Sequence, residues 1–186
     1  MDVRATKLPG VLLLRPAWHG DARGFFSEVY NAATLAAHGI DIPFVQDNQS
    51  VSEKAGTLRG LHWQAPPYAQ AKLVRCGRGA LWDVAVDLRV GSPTYGQWTG
   101  VELSAGNGCQ LLIPAGFAHG FVTRMDDTEV LYKCSASYAP GAEGVLAWDD
   151  PDVAIDWGVD APVLLDRDAS APRLADITSP FMWDAP

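Results

Sequence analysis

Positive charge is scarce in this chain: 14 Lys and Arg stand against 22 Asp and Glu, a formal net charge of −8 over 186 residues. Binding nucleic acid or an anionic membrane surface as the main partner requires a basic face, so both classes are excluded. A small anionic ligand stays compatible, because a few local arginines are enough to hold it. Cysteine is sparse as well. Cys76, Cys109 and Cys134 are odd in number and show no C-x-x-C spacing, which predicts reduced thiols in a cytoplasmic protein. No apolar run has the length needed to cross a bilayer. The amino end lacks the basic-then-apolar layout of a secretory signal.

Long helical periodicity is missing too, and 18 Gly with 13 Pro point to frequent turns. What is present reads as short strands: Val11 to Leu14, the stretch around Val74, Leu81 to Leu88, Gly100 to Leu103, Leu111 to Ile113, Gly120 to Thr123 and Val130 to Cys134. An all-β barrel or sandwich follows. In the strand around Asp83, the alternation places Trp82, Val84, Val86 and Leu88 on one face and Asp83, Ala85, Asp87 and Arg89 on the other. Two carboxylates thus share a face, and one of them is a candidate to point inward. Asn31 to His38, closed by Gly39 and capped by Asn31, is the best helix. The tail from Pro162 reads as irregular. Residues 1–186 are expected to form a single domain with an amino-terminal arm and that tail.

Gly108, Pro114, Gly116 and His119 carry the spacing Gly, five residues, Pro-x-Gly, two residues, His. This resembles the second half-motif of the cupin barrel, a double-stranded β-helix or jelly roll. A metal cupin has His-x-His and a following carboxylate in its first half-motif, so that nitrogen and oxygen donors meet on one ion. Here the segment runs Gly56-Thr57-Leu58-Arg59-Gly60-Leu61-His62-Trp63-Gln64, and no Asp or Glu follows before Lys72. Two imidazoles and a neutral amide make a poor divalent site, so no metal and no other cofactor is expected. Acid/base chemistry is the better employment for the remaining histidines.

Taken singly, the polar residues leave two readings open. His62 shares a strand face with Gln64 and is either a satisfied core histidine or a base. Lys72 is a solvated strand end or a cation aimed inward. Tyr132 is a core aromatic with a bonded hydroxyl or a proton donor. His119 sits where the barrel motif aims its imidazole inward.

Seven blocks in order then resemble the dTDP-4-dehydrorhamnose 3,5-epimerase family: Asp21 to Glu28, Phe44 to Asn48, Gly56 to His62, Lys72 to Arg75, Asp83 to Asp87, Ser92 to Thr94 and Ile113 to Phe121. The resemblance implies a metal-free cupin that inverts C3 and C5 of a dTDP-4-keto-6-deoxyhexose. It implies His62 as base and Asp168 as its dyad carboxylate, with Asp83 a competing orienter. It also implies Lys72 near the C4 oxygen and Tyr132 as the acid on the opposite face. For substrate binding it implies Arg23, Glu28, Gln46, Asp47, Asn48, Arg59, Lys72, His119, Glu143 and Arg167, with Tyr138 stacking on thymine. A homodimer is implied, in which the amino-terminal arm completes the neighbour's site.

The chain departs from that pattern at Gln49, Trp63, Ser137 and Arg167, the last standing where Lys is usual. Gln49 and Trp63 are expected near the sugar pocket, where they would alter selectivity. Alternatives are a C3-only or C5-only epimerase, a ketoisomerase for a natural-product sugar, a non-catalytic sugar-nucleotide-binding cupin, and a metal-dependent cupin oxygenase.

Overall fold

The computed structural model describes residues 1–184, so positions 185 and 186 of the expected tail lie outside the described residues. In chain order the elements are β1 (Asp2–Ala5), β2 (Leu12–Arg15), β3 (His19–Asp21), β4 (Gly24–Phe26), α1 (Ala32–Ala37), β5 (Gln46–Ser52), β6 (Leu58–Gln64), β7 (Lys72–Arg78) and β8 (Ala80–Asp87). There follow β9 (Arg89–Val90), β10 (Trp98–Ser104), β11 (Gln110–Ile113), β12 (Phe117–Thr123), β13 (Thr128–Cys134), β14 (Glu143–Val145), α2 (Asp166–Ala169) and β15 (Phe181–Met182). A six-stranded antiparallel sheet, β1-β2-β11-β7-β13-β5, and a five-stranded one, β10-β8-β12-β6-β14, carry most of the fold. This is the jelly-roll arrangement that the two half-motifs predict.

The core lies in three layers. Val74, Leu111 and Val130 of the larger sheet meet Leu81, Ala85, Leu103, Phe117 and Phe121 of the smaller, and this is the barrel interior. The outer face of the smaller sheet, with Leu58, Trp63, Val84, Val86 and Val122, is sealed by Leu146, Val153, Trp157 and Phe181 from the carboxyl-terminal segment. Leu35 and Ile40, on and after α1, cover Leu14, Leu73 and Leu112 on the outer face of the larger sheet. The face assignment for β8 holds: Val84 and Val86 pack outward, while Asp83 and Asp87 point inward and are fully buried. Asn31 caps α1, its side-chain oxygen accepting from the N–H groups of Ala33 and Thr34.

Two local features override the sequence pattern. In β6 the ladder to β12 pairs His119 with His62 but Phe121 with Arg59, so β6 carries one residue more than its partner between the two pairs. This bulge turns Arg59 and His62 to the same cavity although their spacing of three would set them on opposite faces of a regular strand. Gly60 makes the bulge possible. Its φ is +122°, and a Cβ there would stand 2.6 Å from the Gly120 Cα. The second feature is the tail, which is less irregular than expected: α2 interrupts it and buries Asp168 to 2% exposure.

Candidate active site

Every strand that contributes to the site does so through its inward face. A cavity of about 250 Å³ is lined by Ser50, Arg59, His62, Lys72, His119, Phe121, Tyr132, Glu143, Leu165, Arg167 and Asp168. Lys72 opens β7 and is paired with Cys134 at the end of β13, two residues beyond Tyr132, so its ammonium and the phenol share one face of the larger sheet. His62 and His119 come from the opposing sheet. Six strands and one short helix thereby converge on one cavity.

The sequence left two carboxylates competing for His62, and the geometry separates them. His62 Nε2 lies 2.7 Å from Asp168 Oδ1, while the N–H of Gly60 donates to Asp168 Oδ2 at 3.2 Å. Asp83 belongs to the other imidazole: its Oδ1 is 2.7 Å from His119 Nε2, and its Oδ2 is buried with no hydrogen-bond partner among the described residues. Burial opposes ionisation of Asp168. The hydrogen bond and charge of His62, the Gly60 N–H and Arg167 outweigh that, and hold its carboxyl below the usual range. His119 is pushed down by burial, only partly offset by Asp83. Burial also pushes the Lys72 ammonium down, against the opposing fields of Cys134, Asp83 and Glu143. The Tyr132 phenol is driven up, first by desolvation and then by Cys134, with Arg59 working the other way.

At the mouth of the cavity a second network links the predicted nucleotide residues. The Tyr138 hydroxyl donates to Glu143 Oε2 at 3.0 Å, and Arg167 Nη1 donates to the same oxygen at 3.0 Å. Gln46 Oε1 accepts from the Tyr138 N–H at 2.8 Å, and its amide nitrogen donates to Asn48 Oδ1. Gln64, which stands in place of a metal-ligating histidine, is 4% exposed. Its amide nitrogen donates to the carbonyls of Tyr68 and Ser137, and its oxygen accepts from the Ala139 N–H. The side chain is a brace for the loop bearing Tyr138, with no lone donor turned to the cavity.

Three of the predicted binding residues stand elsewhere in this chain. Asp47 points to the other face of β5, where Lys133 Nζ reaches it at 2.8 Å. With Glu28 it lines a neighbouring cavity of about 350 Å³, together with Tyr30, Arg75 and Lys133, which shares the Tyr132 wall with the His62 cavity. Arg23 sits on the exposed β3–β4 hairpin, paired with Asp21, and its side chain is 90% exposed. Gln49 and Trp63 are also off the His62 cavity, contrary to expectation. Gln49 faces outward to Glu129, and the Trp63 ring is buried in the outer layer against Gly144. Strand alternation explains both, since each is one residue away from an inward side chain. Ser50 and Phe121 line the cavity and were not anticipated; both lie two residues from a predicted site residue on the same strand, and period-two reading from Asn48 and His119 finds them.

Among the described residues no helix is long and apolar enough to cross a membrane. The family model for dTDP-4-dehydrorhamnose 3,5-epimerase matches residues 5–176. The enzyme of that name from Salmonella typhimurium strain LT2 is 51% identical over 176 residues, 94% of this chain and 96% of its own. A Bacillus anthracis crystal structure of dTDP-4-dehydrorhamnose 3,5-epimerase with TDP and PPi bound superposes with a TM-score of 0.91 at 47% identity, covering 92% of this chain and 98% of that one. The Legionella pneumophila dTDP-6-deoxy-D-glucose-3,5-epimerase, solved in complex with dTDP-4-keto-L-rhamnose, gives a TM-score of 0.94 at 41% identity over 99% of both chains. With the fold, the paired imidazoles and these likenesses in agreement over almost the whole length, the chain belongs to the dTDP-4-dehydrorhamnose 3,5-epimerase family.

Proposed function

We propose that the protein inverts C3 and C5 of dTDP-4-dehydro-6-deoxy-D-glucose, giving dTDP-4-dehydro-L-rhamnose for dTDP-L-rhamnose synthesis. A hydrogen α to the C4 ketone becomes removable when a base is held against it and the enolate is stabilised where its charge develops. The observation that carries this reading is the His62–Asp168 contact of 2.7 Å in a cavity that also holds Lys72 and Tyr132.

In this scheme Asp168 accepts the Nε2 proton of His62, which leaves Nδ1 as the basic nitrogen and supports the imidazolium once the α-proton arrives. Lys72 stabilises the oxygen at C4. Tyr132 delivers a proton from the other sheet, opposite His62, and this is what turns exchange into inversion. Arg59 and His119 hold the part of the substrate between sugar and nucleotide. Gln46 and Asn48 support the loop on which Tyr138 presents its ring to thymine, and Glu143 and Arg167 close the mouth. No metal and no cofactor takes part.

Arg23 and Glu28, on the amino-terminal arm, enter the scheme through a second copy of the chain. The hairpin that carries Arg23 presents Phe25 at 59% and Phe26 at 70% exposure, apolar surface that a homodimer would cover. Residues 1–186 are read as one domain with this arm. A cytoplasmic location is part of the same reading, since the three free cysteines suit a reducing compartment.

The test is incubation with dTDP-4-keto-6-deoxyglucose in D2O, with NMR locating deuterium and configuration. Deuterium and inversion at both C3 and C5 are expected. Label at one carbon alone replaces the reading by a mono-epimerase, and no label at either carbon sinks enolisation altogether.

A further inference from the structure

Cys76 and Cys109 stand opposite each other on neighbouring strands of the larger sheet. The β11–β7 ladder runs from Ile113 against Lys72 to Gln110 against Arg75, so Cys109, one step further on, falls across from Cys76. Both side chains belong to the barrel interior: Cys76 is buried in the cluster that holds Val74 and Leu111, and Cys109 packs against that cluster. Opposed residues of an antiparallel pair stand about 4.5–5.5 Å apart at Cα, and a disulfide spans roughly 4.4–6.8 Å. The backbone already has the separation that a bridge needs. Both cysteines are free, the Cys76 thiol donating to the Arg78 carbonyl at 3.1 Å and the Cys109 thiol to the Asn107 carbonyl at 3.7 Å.

The two thiols differ in access. A cavity of about 290 Å³ is lined by both of them, with Trp18 and Phe25 among its other walls. Cys109 is partly exposed and Cys76 is buried. Burial also pushes the Cys76 thiol up, away from the reactive thiolate. A small oxidant therefore meets Cys109 first. Cys134 can replace neither thiol, because it pairs with Lys72 at the opposite end of β7, about 13 Å along the strand from Cys76, and its sulfur accepts from Asn48 Nδ2.

We propose that Cys76 and Cys109 form a dithiol site for hydrogen peroxide, closing into a cross-strand disulfide that fastens the turn before β11 to β7 and stabilises the barrel. The Cys109 thiolate attacks a peroxide oxygen, which breaks the O–O bond and leaves a sulfenic acid and a hydroxide. The Cys76 thiolate then attacks the sulfenic sulfur, forming the S–S bond and expelling a second hydroxide. The two thiol protons neutralise the hydroxides, so the thiols lose two electrons and one peroxide becomes two waters. The turn fastened in this way is the one beneath the β3–β4 hairpin. Asn107 Oδ1 accepts from the N–H groups of Ser104 and Cys109, and the Trp18 ring lies over Gly108 and stacks on Phe25. Neither sulfur lines the His62 cavity, so the bridge acts on stability rather than on the chemistry. In a reducing compartment the dithiol is the resting form, and closure follows oxidative challenge.

The test treats the reduced full-length protein with hydrogen peroxide, blocks the remaining thiols with N-ethylmaleimide after unfolding, and maps the peptides by mass spectrometry. A Cys76–Cys109 cross-link with Cys134 still free is expected, and dithiothreitol should restore all three thiols. The bridged residues are 33 apart in the chain, so the thermal unfolding midpoint of the oxidised protein should rise by about 5 °C. Cys109→Ser should abolish both the cross-link and the rise. In the wild type, thiols that resist peroxide, a sulfinic acid at Cys109 in place of the bridge, a cross-link to Cys134, or a bridge that leaves the midpoint unchanged each overturns the proposal without needing the variant.

Discussion

His62 and His119 are direct register partners across the β6–β12 ladder, yet each imidazole is held at 2.7 Å by a different carboxylate, Asp168 from the tail and Asp83 from the barrel interior. The environments differ as much as the partners. His62 keeps a quarter of its side chain exposed to the cavity, whereas His119 is nearly closed off. Burial depresses the basicity of His119 and favours its neutral form, with the Nε2 proton directed at Asp83. One dyad is placed to exchange protons with a ligand, and the other is placed to stay fixed.

Replacing His62 by alanine is expected to stop deuterium entering C3 and C5 while leaving dTDP affinity within about threefold, because the nucleotide contacts lie elsewhere. The loss in turnover should be at least about a hundredfold, the scale of a missing general base. Isothermal titration with dTDP beside the D2O assay checks it, and lost binding with exchange intact would reverse the assignment.

Tyr132→Phe keeps the packing of the ring and removes the transferable proton. Solvent deuterium should still wash into the sugar through His62, while inverted product falls by about a hundredfold or more. Epimerisation at the wild-type rate would make Tyr132 a packing residue.

Asp83→Asn removes a buried negative charge that supports the Lys72 ammonium against desolvation. The sign is definite: without that field the Lys72 pKa falls further, so the alkaline limb of the kcat profile moves to lower pH. A drop of about tenfold in kcat at neutral pH should accompany it, with KM little changed. A pH profile that overlays the wild type disconnects Asp83 from Lys72.

Asp87 supplies a stability test. It is fully buried and accepts from the N–H groups of Arg89 and the hydroxyls of Ser92 and Thr94. Desolvation raises its pKa, but these donors overcome that and set it below the ordinary 3.8. A depressed carboxyl contributes stability above its unfolded value and loses it as pH falls through the folded one. Asp87→Asn should cost about 3 kcal/mol at neutral pH, in the range for one partner removed from a buried pair. Denaturant melts should show that the deficit shrinks below about pH 4. A deficit independent of pH would contradict the assignment.

Chelation provides the fifth test. Gln64 uses both ends of its amide on backbone groups, and among the described residues no cluster of His, Cys, Asp and Glu has the makings of a cation site. Activity is expected to persist after exhaustive dialysis against a chelator. Loss with restoration by one specific divalent ion would end the metal-free scheme.

The sequence showed the strands and the inward face of β8 because period-two alternation is a local property. It could not show that Arg59 and His62 share a cavity, since a bulge depends on how β12 pairs with β6. Residue spacing alone could not assign the two carboxylates either, and only the resemblance pointed to Asp168. Asp83 is 21 residues from His62 and Asp168 is 106, yet the distant one makes the contact, because α2 folds back over β6. Gln49 and Trp63 were misplaced for the opposite reason: adjacency in sequence to a site residue on a strand means the other face.

The same tail that seals the outer layer with Trp157 and Phe181 also delivers Asp168. Chain completion and catalytic competence are thereby one event. A polypeptide cut before residue 166 during synthesis or by a protease keeps His62, Lys72 and Tyr132 but loses both the carboxylate that holds His62 and the Phe181 seal of its outer layer.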